Sequence, residues 1–134
     1  MTHKTRIPVR FADIDAMGHV NNAVFLSYFE QARIDFFNTH VGGEWDWKDQ
    51  GIVLARNEID YMIPILLNDD VWIQTEIERY GTKSMTMGFT VYDGRATDAP
   101  RIFAKGRCVL VAFDYHAGIT KPLPEEWKAT FQAD

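Results

Sequence analysis

The spacing of apolar and polar positions changes period twice along the chain. Thr5 to Phe11 reads as a short first strand, followed by a polar, bend-prone stretch, Ala12 to Asn22, that holds Asp13, Asp15, Gly18, His19, Asn21 and Asn22. From there to about His40, Phe25, Tyr28, Phe29, Ala32 and Phe36 recur at three- and four-residue steps, with Ser27, Gln31, Asp35 and Asn38 on the other side. That spacing predicts a helix. Leu26, Ile34 and Phe37 widen the apolar face, so the helix is expected to be enclosed on more than one side. Asn21 or Asn22 is suited to cap its start, and Gly42-Gly43 to end it.

Past a loop with Trp45 and Trp47 the period becomes two. Ile52 to Ile63 predicts a strand ended by Pro64. Val71, Ile73, Thr75 and Ile77 then alternate with Trp72, Gln74 and Glu76, and Met85, Met87, Phe89 and Val91 with Thr86, Gly88 and Thr90. Asp93-Gly94 opens a turn before a long last strand, Ile102 to Phe113, and Pro122 to Phe131 reads as a short terminal helix. The order predicts an antiparallel meander around a single helix. On the last strand both Cys108, Leu110, Ala112 and the alternate set Val109, Val111, Phe113 are apolar. One helix covers one face only. The other is expected to lie against a second copy of the chain, or under the C-terminal segment Leu123 to Phe131.

Composition narrows the class. The 134 residues, 46% hydrophobic and 25% charged, predict one globular domain over 1–134, too apolar for disorder. The longest uncharged apolar run, Tyr61 to Leu67, contains Pro64 and falls far short of the roughly 20 residues of a membrane span. Cys108 is the only cysteine, so an internal disulfide and a thiolate zinc cluster are both excluded. The opening residues lead into no apolar signal core. The expectation is a cytoplasmic, water-soluble domain with no membrane partner. Fourteen basic against nineteen acidic residues give a net charge of −5, which argues against nucleic acid. A small anionic ligand needs only a local cationic patch.

Several familiar sites are missing. There is no glycine-rich phosphate loop and no histidine pair at helical ligand spacing. Ser27 and Ser84 are the only serines, neither in a nucleophile elbow. Asp13 to Gly18 begins like a calcium loop, but Met17 and Val24 fall where oxygen ligands are required. The remaining polar groups crowd one place, just before the enclosed helix. The first N–H groups of a helix lack internal partners and carry partial positive charge, so they can hold a carbonyl oxygen as it gains negative charge. A carboxylate just upstream could activate water or attack that carbonyl. By themselves, Asp and Asn before a helix are first of all capping and turn residues. Likewise His19 reads as a loop histidine and Glu30 with Arg33 as an ion pair.

The run Arg10-Phe11-Ala12-Asp13-Ile14-Asp15-Ala16-Met17-Gly18-His19-Val20-Asn21-Asn22, continued by Tyr28-Phe29-Glu30-Gln31-Ala32-Arg33, resembles the hydroxybenzoyl-CoA thioesterase-like branch of the hotdog-fold superfamily. Ile59-Asp60-Tyr61 with Pro64, and Tyr80-Gly81-Thr82-Lys83-Ser84, extend the likeness more loosely. The resemblance implies an α+β hotdog fold, a long central helix wrapped by a curved five-stranded antiparallel sheet. It further implies a homodimer or homotetramer with sites at subunit interfaces. The implied activity is hydrolysis of an acyl-CoA thioester to free acid and coenzyme A, with no cofactor beyond that substrate and no metal. Asp15 would be the catalytic carboxylate, as base or nucleophile. The backbone N–H at or near Asn22 would be the oxyanion donor, with Asp13 supporting and His19 a further candidate.

Thr82, Lys83 and Ser84, with Arg79, would meet the coenzyme A phosphates. Trp45, Trp47, Phe25 and Met87 are candidates for an acyl channel and equally for packing. Two other readings remain open at this point. A hydratase or dehydratase would use His19 and Glu30 on acyl thioesters, and a non-catalytic module would only bind acyl-CoA.

Overall fold

The computed structural model describes residues 1–42 and 44–132. The elements run β1 (Thr2–Ile7), a single 3-10 turn (Phe11–Asp13), α1 (Val24–His40), β2 (Gly51–Tyr61), β3 (Val71–Tyr80), β4 (Ser84–Asp93), β5 (Ile102–Asp114), β6 (Ile119–Thr120) and α2 (Glu125–Phe131). The first strand starts and stops earlier than the apolar pattern suggests. Its ladder with β3 ends at Ile7, because Pro8 has no N–H to continue it. Arg10 to Asp13 is then captured by a local turn, in which the Asp13 N–H donates to the Arg10 carbonyl at 2.9 Å.

The sheet is antiparallel throughout, in the order β1-β3-β4-β5-β2, with the two-residue β6 added beside β5. Only β3, β4 and β5 form a meander. β2 lies at the far edge against β5, so the chain must cross from one side of the sheet to the other before β3. That connection carries Ile65, fully buried, under the start of α1. Register shifts occur at Leu54/Arg56, Ile77/Arg79 and Val91/Tyr92, the points at which antiparallel strands bend.

One face of the sheet meets α1. Phe29 stacks on Phe89 with ring centroids 4.5 Å apart, and a Cβ on Gly106 would come within 2.5 Å of the Phe29 ring. The absent side chain is what lets the helix approach. α1 leans toward β1 and β3, which leaves Leu54 and Tyr61 at the β2 side exposed.

The C-terminal segment covers the helix side as well. Trp127 and Phe131 of α2 pack on Phe36, Phe37, Trp45, Trp47 and Tyr80. It therefore does not shield Val109, Val111 and Phe113, which stay half-buried. The C-terminal alternative for that face is ruled out, because the aromatic residues of α2 find a larger apolar partner around Phe37. Gly42 ends α1 as expected, at φ +96 with its N–H on the Phe37 carbonyl. Gly43 lies outside the described residues.

Candidate active site

The stretch before α1 folds back on itself. Ile14 and Val20 form an isolated antiparallel bridge, the Asp15 N–H donates to the His19 carbonyl at 3.0 Å, and the Gly18 N–H returns to the Asp15 carbonyl at 3.0 Å. Gly18 takes φ +87, which a side chain would strain. The Val20 N–H then donates to the Ile65 carbonyl at 2.8 Å. The crossover between β2 and β3 thus pins the loop.

Asp13 and Asp15 have opposite environments. Asp13 is buried. Its carboxylate accepts the Arg10 N–H (3.0 Å), the Arg10 guanidinium (2.9 and 3.2 Å) and the Tyr28 hydroxyl (2.7 Å). Burial pushes this carboxyl up, but the Arg10 and Tyr28 hydrogen bonds and the Arg10 charge together hold it below the ordinary carboxylate range. Burial, followed by the hydrogen bond to Asp13, pushes the Tyr28 phenol well up. Asp13 is thus occupied within the protein and serves the loop.

Asp15 is half-buried and uses both oxygens: Oδ1 accepts the Met17 N–H at 2.9 Å, and Oδ2 accepts the Asn21 side-chain amide at 3.2 Å. The Asn21 Oδ1 in turn accepts the Ala23 N–H at 2.9 Å. One side chain therefore ties the Asp15 carboxylate to the first turn of α1.

That turn is tight, with Val24, Phe25 and Leu26 donating to the carbonyls three residues back. These bonds occupy the amides of Ala23 through Leu26. The Asn22 N–H has no partner among the described residues, and Asn22 borders a cavity of about 210 Å³ lined also by His19, Phe25, Tyr61, Met62, Ile63 and Pro64. Tyr61 donates to the Asn22 carbonyl at 2.8 Å and meets the Phe25 ring edge to face. His19 borders the same cavity, with Nδ1 3.3 Å from the Val20 carbonyl. The arrangement puts an unpartnered amide and a partly apolar hollow at the helix start, while the Asp15 carboxylate is tied to the same turn through Asn21 without lining the hollow.

The proposed phosphate-binding residues lie elsewhere. In the turn after β3, the carbonyls of Thr82, Lys83 and Ser84 accept the N–H groups of Leu123, Ala112 and Gly81 at 2.8 Å each. The backbone is fixed while the Thr82 and Lys83 side chains stay exposed. Arg79, also exposed, faces away from α1 opposite Thr86. This end of β3 meets Phe131 and the C-terminal half of α1, whereas the Asp15 loop stands at the helix start. The ten residues of β3 span about 30 Å. One chain does not bring Lys83 to Asp15.

Sequence patterning did not reveal the roles of two residues in this region. Tyr28 read as part of the apolar helix face and Tyr61 as part of a strand, and only their hydroxyl contacts show what they hold. Glu30 and Arg33 do not form the expected ion pair among the described residues: Arg33 is 9% exposed, and its side chain reaches Cys108 Sγ at 3.9 Å. Helical spacing allowed the pair, but Arg33 runs inward while Glu30 stays exposed. Met87 is core, Phe25 lines the helix-start cavity, and Trp47 lines a second hollow between α1 and β2. Trp45 packs on Trp47 and Trp127. Among the described residues no group of three or more His, Cys, Asp or Glu is placed to hold a metal ion. No described helix is long and apolar enough to cross a membrane.

Comparison with known proteins bears on this geometry. The model of the thioesterase-like superfamily matches residues 9–131. A thioesterase from Thermus thermophilus, solved in complex with coenzyme A and zinc, is 40% identical, with a TM-score of 0.82 and 97% of each chain covered. The long-chain acyl-CoA thioesterase FadM of Escherichia coli is 30% identical over 82 residues, 60% of this chain and 62% of that protein. A 1,4-dihydroxy-2-naphthoyl-CoA thioesterase from Synechocystis superposes with a TM-score of 0.85 over 98% of this chain and 96% of its own. At 17% identity, it speaks for the fold alone.

Proposed function

The chain belongs to the thioesterase-like superfamily, and on that premise we propose that it hydrolyses acyl-CoA thioesters at the junction of the Asp15 loop with α1. It is a thioester hydrolase with the hotdog fold. Within it, the Asn22 N–H is proposed as the donor to the thioester carbonyl, helped by the partial positive charge of the helix start. Asp15 acts on water or attacks the carbonyl directly, both of which need the same placement. In the water route, Asp15 takes a proton as the water oxygen bonds to the carbonyl carbon, and the C=O electron pair moves onto the oxygen held by Asn22. Collapse expels the coenzyme A sulfur as thiolate, which is then protonated. His19 borders the same cavity and is a further candidate.

The observation that carries the reading is that Asn22, whose N–H has no partner among the described residues, borders a cavity beside Asn21, which holds the half-buried Asp15 carboxylate. Coenzyme A contacts are assigned to Thr82, Lys83, Ser84 and Arg79. Since one chain holds these far from Asp15, the phosphates bind where a second copy brings its turn close. β2 is an eleven-residue edge strand, an unpaired ladder of the kind that pairs with another chain. A homodimer, or a tetramer built from it, is the proposed assembly. One catalytic domain acting in the cytoplasm, where the buried Cys108 stays a thiol, completes the reading.

Thiol release from a panel of acyl-CoAs tests it. Asp15→Asn is expected to lower kcat by at least about a hundredfold while oligomer size is unchanged. Full turnover in that variant would remove Asp15 from the reaction.

A further inference from the structure

Farther along α1 than the Asn22 cavity, and sharing no lining residue with it, lies a second cavity of about 360 Å³ between α1 and β2, bordered by Arg33, Ile34, Phe37, Trp47 and Ile52. Arg33 is nine-tenths buried and has no carboxylate partner among the described residues. Its one polar contact is Cys108 Sγ at 3.9 Å. Burial, above all, keeps that thiol up, against the pull of Arg33, so the sulfur offers no counter-charge. Cys108 faces Asn57 across the β2–β5 ladder, and the Asn57 Oδ1 is buried with no hydrogen-bond partner.

A guanidinium removed from water without an anion is a standing cost to the fold. None of the described residues supplies its counter-charge. The apolar walls around it suit an acyl chain, and Arg33 follows Asn22 by eleven positions of the sequence, about 16 Å along the helix.

We propose that the acyl group extends from the Asn22 cavity along α1 into this second one, where Arg33 closes its far end and selects acyl groups that carry a carboxylate at the end remote from the thioester. This rests on the hydrolase reading above. The guanidinium is the charged donor, and Asn57, opposite Cys108 on the β2–β5 ladder, offers an unpartnered oxygen to accept from water accompanying the carboxylate. Glu30, exposed at the rim of the same cavity, disfavours a carboxylate that stops short of Arg33.

The test compares adipoyl-, suberoyl- and sebacoyl-CoA with hexanoyl-, octanoyl- and decanoyl-CoA by thiol release. In the wild-type protein the carboxylated member of the best-matched pair is expected to have a kcat/KM about tenfold to a hundredfold higher, the range of a charge-assisted hydrogen bond. Arg33→Met is expected to bring that ratio to about one or below, and Arg33→Lys to keep part of it. If either variant does not fold, competition in the wild-type protein substitutes: sebacate should inhibit and decanoate should not. A wild-type ratio of one or less at every length, with the plain thioesters hydrolysed, overturns the proposal and leaves a second copy as the source of the anion. A ratio unchanged by Arg33→Met also overturns it. No thiol release from any member overturns the hydrolase reading itself, and this inference with it.

Discussion

Replacing Tyr28 by Phe removes one oxygen atom and leaves the rest of the ring in place. The hydroxyl donates to the Asp13 carboxylate at 2.7 Å, and both side chains are almost fully buried. A hydrogen bond to a charged group contributes about 1.5–3 kcal/mol. The Arg10 N–H and guanidinium still hold Asp13, so the loss should fall near the lower end, about 1.5 kcal/mol. With a urea m-value of about 2 kcal/mol per M, the midpoint drops by about 0.7 M. Protein concentration must be held fixed, because association would shift the midpoint too.

The same contact anchors the loop that carries Asp15, two residues on. A loosened loop should lower kcat by about tenfold or more with a smaller change in KM, since small misplacements of reacting groups are costly. Urea unfolding followed by tryptophan fluorescence, and thiol release on the same preparation, measure both effects. An unchanged midpoint and unchanged kcat would mean that the Tyr28–Asp13 contact neither stabilises the fold nor places Asp15.

Two other outcomes follow from the structure. Lys83→Glu should raise KM for a coenzyme A thioester several-fold, an effect that weakens with added salt and is absent for the matching acyl-pantetheine, which lacks the nucleotide phosphates. An equal rise for both substrates would remove Lys83 from phosphate binding. The second concerns pH: His40 contacts His3 at 3.2 Å, and His3 in turn holds Asp35 at 2.7 Å. Burial first, then the charges of His3 and the N-terminus, lower the His40 pKa from its ordinary 6.5, against the raising effect of Asp35. The fold thus prefers neutral His40. That stability is fully present above pH 6.5 and is lost as pH falls through the lower folded value. Tm should therefore fall below about pH 6.5, and His40→Asn should flatten the fall; identical slopes would exclude His40 as the cause.

Much of the architecture was legible in short-range patterning. The two-residue alternation in β3 and β4, the long apolar run of β5 and the three- and four-residue steps from Phe25 to Phe36 located those elements to within a few residues. Each pattern records which face of its own element is buried. The first strand was misplaced because Val9 and Phe11 continue the apolar content, while Pro8 and the Asp13 turn decide the backbone. The crossover of β2 was not legible, since an alternating strand says nothing about its neighbour. The crowding of Asp13, Asp15, Asn21 and Asn22 before a helix marked the candidate site, yet it did not separate the two carboxylates.

The amino-acid order alone determined most of the elements and the polar cluster before α1, because these depend on residues a few positions apart, and the single cysteine ruled out an internal disulfide. Tertiary structure decided the rest. It buried Asp13 against Tyr28 and left Asp15 tied to Asn21, set the Ile65 carbonyl on Val20, turned Arg33 away from Glu30, and put Lys83 at the opposite end of the sheet from Asp15. Which charge loses its water, and which finds a partner, depends on contacts between segments far apart in the chain. No local pattern encodes that.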